Sequence, residues 1–338
     1  MVKRKRGKQS FRLEQPPVIR VWASVAGKKE SEGPLAQFFD ITHQDTRFSQ
    51  KSWEQAEKKM QELALNTLVQ KAGISMKDLD VVFSGDLLNQ CIGSSFTLRN
   101  TGIPHIGLYG ACSTMAESLL LASLAVDAGI AERAVAMTSS HFASSERQYR
   151  FPLGYGGQRT PTAQWTVTGS GAVLVCPNGK GPRIECATMG TVTDLGITDA
   201  NNMGAAMAPA AMATIRAHFE DFHTGPEEFD MIVTGDLGRL GRDALLALAA
   251  KEGISLDGKL EDCGTMIFDP DRQDVHSGGS GCGCSAVTLC GKLLPMLRDG
   301  QLKRILFCGT GALLSPTSTQ QGLPIPGICH AVCITGGQ

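Results

Sequence analysis

The feature that most constrains this chain is an internal repeat. Asp78–Leu88 (DLDVVFSGDLL) aligns without gaps on Glu228–Gly238 (EFDMIVTGDLG), with identities at Asp80/Asp230, Gly85/Gly235, Asp86/Asp236 and Leu87/Leu237. Gly110-Ala111-Cys112-Ser113-Thr114 then aligns on Gly281-Cys282-Gly283-Cys284-Ser285. The match continues through a helix to Asp127-Ala128-Gly129 over Arg298-Asp299-Gly300, and on to Arg133 over Arg304. The offset grows from 150 to 171 residues between the two blocks, so the second copy carries an insertion. Two copies of strand–turn–helix–strand require a duplicated α/β fold with a pseudo-two-fold axis. A solenoid, which needs about three repeats or more, is excluded.

The local pattern agrees. Trp53–Gly73 places Trp53, Ala56, Met60, Leu63, Ala64, Thr67 and Leu68 on one helical face. Asp80–Gly85, Ile103–Tyr109, Arg133–Thr138 and Thr166–Cys176 read as strands. Ser113–Ala128 reads as a helix buried on all sides, with Thr114 and Glu117 as a capping box and Gly129 as its stop. Residues 1–14 are expected to be a flexible basic arm (Lys3, Arg4, Lys5, Arg6, Lys8). Residues 15–178 and 179–338 are expected to be the two halves.

Composition narrows the functional classes. Hydrophobic residues make up 42% and charged residues 19%, enough apolar material for a large core. With 32 Lys and Arg against 33 Asp and Glu, no broad nucleic-acid-binding surface is expected. The 11 cysteines show no C-x-x-C pair and no zinc spacing, so reduced, buried thiols are expected. The longest apolar run, Leu119–Val126, ends at Asp127, far short of the ~20 residues that span a bilayer. Met1–Ser10 is basic with no apolar stretch behind it, so no signal peptide is expected and the chain reads as soluble. The chain contains no G-x-x-x-x-G-K-[ST], which excludes a P-loop. Gly281-x-Gly283-x-x-Ala286 formally fits a relaxed dinucleotide fingerprint, but no long strand precedes it and no acidic residue sits near 306.

A duplicated α/β chain with a cysteine opening a buried helix resembles the thiolase and ketoacyl-synthase superfamily. The residues that carry the resemblance are Gly110-Ala111-Cys112-Ser113, Thr168-Gly169-Ser170-Gly171-Ala172, Met203-Gly204 and Gly279–Ser285, and it covers the chain from about Gln15. Within that superfamily the chain is similar to the stage V sporulation protein AD family of spore-forming bacilli. GDLLNQ (85–90), GACSTM (110–115), TSSH (138–141), GITDANNMGAAMAPAA (196–211), GGSGCGCSAV (278–287) and GTGALLSPT (309–317) carry that likeness. It implies a thiolase-like fold with mixed sheets in αβαβα layers around a buried helix pair. It also implies a protein that binds dipicolinic acid (pyridine-2,6-dicarboxylate) for uptake, as the calcium chelate, into the developing spore. The expected partners are the channel membrane proteins of the same operon, with the chain peripheral on the spore inner membrane and homodimeric.

Acyl transfer needs a nucleophile, a base and an oxyanion cradle. Cys112 occupies the nucleophile position, yet the position of the family's catalytic histidine falls at or beside Gly235-Asp236, and that of its asparagine near Ser280. A second catalytic cysteine fits only loosely at Cys329 or Cys333, and His141 or His330 would have to replace the missing base. The expected reading is a non-enzymatic binding protein without a cofactor or resident metal; an acyltransferase using Cys112 and a channel scaffold are the alternatives. Candidate ligand-binding residues are Cys112, Ser113, Ser140, His141, Arg147, Asp86, Asn89, Asp236 and Ser280, with Arg150 beside Arg147. For Arg147 and Arg150 a solvated loop, for His141 a structural hydrogen bond, and for Asp86 and Asp236 capping of local N–H groups are the structural alternatives.

Overall fold

A computed structural model describes residues 4–149 and 158–337. Five strands form the first half: β1 (Val18–Ala26), β2 (Val81–Asp86), β3 (His105–Gly107), β4 (Ala134–Ser140) and β5 (Gly169–Cys176). Five more form the second: β6 (Arg183–Thr188), β7 (Met231–Thr234), β8 (Leu260–Asp262), β9 (Arg304–Ala312) and β10 (Gly327–Thr335). They join in the order β8-β7-β9-β10-β6-β1-β5-β4-β2-β3. Each half thus has its first, fifth, fourth, second and third strands side by side, and the two first strands meet antiparallel at Arg183 and Val18. In both halves the fourth, second and third strands are parallel, and the fifth runs antiparallel to its neighbours.

The helices fill the layers. They are α1 (Trp53–Ala72), α2 (Ile92–Leu98), α3 (Thr114–Asp127), α4 (Phe142–Tyr149), α5 (Met203–Phe222), α6 (Gly238–Lys251), α7 (Cys263–Met266) and α8 (Cys282–Thr288). One core packs Met60, Leu65 and Leu68 of α1 against Leu174, Met137 and Val25 of the first half. A second packs Met207, Ile215 and Phe219 of α5, with Leu245 of α6, against Ile232, Leu306 and Ala331 of the second half. Between the sheets, Met115 and Leu119 of α3 and Ala286 and Val287 of α8 share a core with Val173, Val175, Phe307 and Val332. Strand β5 is therefore covered on both faces, Ala172 and Leu174 outward and Val173 and Val175 inward. That is why its sequence reads as a continuous apolar run rather than an alternating one.

The close approach of the central helices decides two glycines. A Cβ on Gly309 of β9 would lie 2.6 Å from the Cβ of Ala116 in α3. One on Gly171 of β5 would lie 2.7 Å from the carbonyl oxygen of Ala286 in α8. The repeated Asp80 and Asp230 are explained as well. Asp80 Oδ2 accepts the backbone N–H groups of Glu132 and Arg133, both at 2.8 Å. Asp230 Oδ2 accepts those of Lys303 at 2.6 Å and Arg304 at 2.9 Å. Each aspartate ties the loop after its helix to the strand beside it.

Two expectations are corrected. Over its described residues the basic arm is part of the fold: Lys5–Arg6 pairs with Ser10–Arg12, which pairs with β6. Phe11 and Leu13 are buried, and Arg4 is ion-paired with Glu14 and Asp127, so apolar anchors hold the cationic segment down. The capping box at Thr114 is absent because a 3-10 turn, Ala111–Ser113, precedes α3 and takes Thr114 into its first turn. Thr114 Oγ1 donates instead to the carbonyl of Ala111, and Glu117 Oε2 is buried without a partner.

Candidate functional site

The site forms where the two repeats face each other. Cys112 sits in the 3-10 turn ahead of α3, and Ala111 before it has φ of 50°, a left-handed conformation that costs a non-glycine residue energy. The Cys112 thiol faces the carboxyl of Asp236, which follows β7 in the other half. Asp236 is fully buried. Its Oδ2 accepts the Gly281 N–H at 2.8 Å and Ser280 Oγ at 3.3 Å, and its Oδ1 accepts Thr310 Oγ1 at 2.9 Å.

Burial dominates the electrostatics here. Loss of water pushes the Asp236 carboxyl up to about 7 despite these hydrogen bonds. The Cys112 thiol is pushed well above its ordinary range, first by burial and then by the Asp236 charge and the neighbouring Cys282 thiol. Cys282, the first residue of α8, is in contact with Cys112 and Leu87, and its Sγ donates to the Ser139 carbonyl at 2.9 Å. A cysteine at a helix start is usually acidified; here burial, with a carboxyl rather than a cation beside the thiol, reverses that.

Cys112 and Ser280 line a small cavity of about 40 Å³ that opens to solvent. One wall is α4, which contributes Ser145, Glu146 and Tyr149; Leu87 and Tyr109 contribute from the first half, Met203 and Leu314 from the second. Tyr149 donates to the Leu87 carbonyl at 2.6 Å and is hydrogen-bonded to the Tyr109 hydroxyl. Glu146 Oε1 accepts Thr166 Oγ1 at 2.9 Å.

Of the residues singled out from sequence, the structure brings Cys112, Asp236 and Ser280 together and takes the others elsewhere. Ser113 Oγ donates to the Gly110 carbonyl. Ser140 Oγ donates to the Val167 carbonyl and accepts the Gly283 N–H, tying β4 to α8. His141 is buried, with Nε2 on the Thr46 carbonyl at 2.7 Å and Nδ1 accepting the Ala143 N–H, which is a structural role. Asp86 is the repeat partner of Asp236, yet it accepts Ser94 N–H, Ser94 Oγ and Leu88 N–H and so fixes the start of α2. Arg147 pairs with Glu54 and lies over the Trp53 ring; it shares a separate surface groove with Asn89. Arg150 lies outside the described residues. Sequence reasoning missed Tyr109, Ser145, Glu146, Tyr149 and Cys282; of these, only Cys282 carried a signal, through its alignment on Ala111 in the repeat.

The fold is that of a thiolase-like protein. Solved structures agree on the fold. The 3-oxoacyl-[acyl-carrier-protein] synthase III of Aquifex aeolicus VF5 is 14% identical with a TM-score of 0.57, over 94% of this chain and 99% of its own. A single-residue variant of Xanthomonas campestris OleA is 16% identical with a TM-score of 0.60, over 96% and 99%. The chain belongs to the Stage V sporulation protein AD (SpoVAD) family, whose pattern matches residues 7–335. It is 45% identical over 326 residues to the Stage V sporulation protein AD of Bacillus subtilis (strain 168), covering 96% of each chain. It is therefore a sporulation protein on a thiolase-like fold. No described helix is long and apolar enough to cross a membrane.

Proposed function

We propose that this chain binds dipicolinic acid in the Cys112 cavity and serves its uptake into the developing spore without catalysing acyl transfer. The observation that carries the non-catalytic part is the Cys112–Asp236 pair. The group facing the thiol is a buried carboxyl, which keeps the sulfur protonated instead of drawing its proton away. The described cavity lining contains no histidine, and His141 and His330 are both engaged elsewhere, His330 Nδ1 with the Gly190 N–H. The binding part is supported by family membership and by the start of α3 just behind Cys112, where a cavity opens. Glu146 lines the cavity and Asp236 lies behind Ser280 in its wall, so a bare dianion is disfavoured. The ligand form favoured is the calcium chelate or the partly protonated acid.

The same reading puts the protein at the spore inner membrane as a peripheral homodimer beside the channel proteins of its operon. An open edge at β3 with Ile106 exposed, near exposed Ile92 and Phe96, supports pairing through the first half. Light scattering that finds a monomer removes the dimer. Exposed Lys5 and Lys8 on the N-terminal hairpin support contact with anionic lipid, and vesicle binding indifferent to salt removes that contact.

The deciding experiment is isothermal titration with pyridine-2,6-dicarboxylate, with and without Ca²⁺, using pyridine-3,5-dicarboxylate as control. Saturable 1:1 binding that the control does not reproduce is the expected result, and absence of heat and of competition sinks the reading. Incubation with acetyl-CoA should leave Cys112 unmodified; a stable acetyl adduct there would restore the acyltransferase.

A further inference from the structure

An audit of hydrogen bonds around the cavity separates one side chain from the rest. Tyr149 gives its proton to the Leu87 carbonyl, which can only accept, so the Tyr109 hydroxyl must give its own to Tyr149. Thr166 gives its proton to Glu146, and Ser280 gives its to Asp236, the carboxyl that the Cys112 thiol faces. Among the described residues that line the cavity, Ser145 is left. It is 2% exposed, it lines the cavity, and its Oγ has no hydrogen-bond partner.

A buried hydroxyl without a partner costs desolvation and returns nothing, so native structures hold few of them. Local rescue is the usual remedy in a helix, where a serine bonds the carbonyl one turn back. Ser145 does not take it. The carbonyl of His141, one turn back, accepts the Ser145 N–H at 3.0 Å and also Ser144 Oγ at 3.1 Å. The hydroxyl is thus free to turn toward the cavity. Its neighbours Glu146 and Tyr149 on α4 line the same cavity, so this helix face is the wall that a bound molecule meets.

We propose that Ser145 is a ligand-contacting residue whose hydroxyl donates to an acceptor oxygen of the bound molecule, a carboxylate oxygen of a small planar dicarboxylate. The assignment rests on the binding reading above and adds the residue that discriminates among ligands. A rotatable hydroxyl serves an acceptor and gives nothing to an apolar ring edge. Pyridine-2,6-dicarboxylate gains this bond, and a benzene ring, which has no acceptor, does not.

The test titrates wild type, Ser145→Ala and Ser145→Cys with pyridine-2,6-dicarboxylate and follows thermal unfolding of each without ligand. Ser145→Ala should weaken binding by about ten- to a hundredfold, the effect of one hydrogen bond to a charged carboxylate. Ser145→Cys, a similar volume with a weak S–H donor, should fall between. The unliganded melting temperature should stay the same or rise in Ser145→Ala, because an unpaired buried hydroxyl is removed; a structural serine would lower it. Wild-type affinity retained in Ser145→Ala overturns the assignment and leaves the binding reading standing. No saturable binding by wild type defeats the binding reading, and the Ser145 assignment with it.

Discussion

Cys112 and Asp236, 124 positions apart, meet across the pseudo-two-fold axis as a thiol facing a buried carboxyl. Burial raises both groups, and a charge on Asp236 raises the thiol further. The pair therefore fits a surface that receives a ligand better than one that attacks it.

The first prediction concerns that thiol. Alkylation of Cys112 by iodoacetamide, followed by peptide mass spectrometry, should be slow near neutral pH. Asp236→Asn removes the opposing charge and should speed it by about tenfold, since one unit of pKa is a tenfold change in thiolate. It should stay far slower than an activated thiolate, because burial is the larger cause and remains. An unchanged rate would mean that Asp236 does not act on the sulfur.

Stability should depend on pH in one direction. Burial raises Glu30 to about 7, Glu57 to about 8, Asp236 to about 7 and Asp262 to about 6. A carboxyl whose folded pKa is raised keeps a proton that the unfolded chain has already lost. Its contribution is complete below the unfolded value near 4 and is lost as pH rises through the folded one. The melting temperature should therefore fall by about 5 °C or more between roughly pH 5 and 8. In Asp236→Asn the fall should be smaller. A melting temperature that rises across that window would contradict the burial of these groups.

Asp80 and Asp230 should behave as a matched pair. Each accepts two backbone N–H groups at the start of an equivalent strand, so alanine at either leaves two donors without a partner. Each substitution should cost about 1–3 kcal/mol in denaturant unfolding. The two costs should add within about 0.5 kcal/mol, as for independent sites. One large and one negligible loss would show that the repeat is symmetric in sequence only.

Gly309→Ala should be poorly tolerated. The added Cβ meets Ala116 at 2.6 Å and the Ser113 carbonyl oxygen at 3.0 Å. Backbone has to shift, and the shift displaces the helix start that carries Cys112. A loss of about 1–3 kcal/mol, with weaker ligand binding, is expected. Gly253→Ala, whose Cβ meets nothing within 4 Å but whose φ is 74°, provides a strained surface control that should leave binding intact.

Much of the architecture was legible in the chain because it is written twice. The repeat of Asp80, Gly85 and Asp86 gives the duplication, and apolar runs such as Gly169–Cys176 mark strands covered on both faces. Cys112 was legible as well, since its place at the start of a buried helix follows from order along the chain. The rest of the site was not. Asp86 and Asp236 are indistinguishable in the repeat, yet one pins α2 while the other faces the thiol. The difference is made by partners from elsewhere: Ser94 for Asp86, and Thr310, Gly281 and Cys112 for Asp236. In the second half Asp262 holds the start of α6 by accepting Leu237 and Gly238 N–H, a task Asp86 performs locally in the first.

The sequence by itself determined that the chain holds two like α/β halves and that a cysteine opens a buried helix in the first, because periodicity and repetition are properties of order along the chain. Only the tertiary structure decided that this cysteine sits beside a carboxyl, that the basic N-terminal segment is a strand pair, and that Ser145 is the uncommitted hydroxyl of the cavity. Charge state and hydrogen-bond vacancy depend on which groups are brought together and how much water is excluded. Residues such as Cys112 and Asp236 acquire those neighbours only when the halves close.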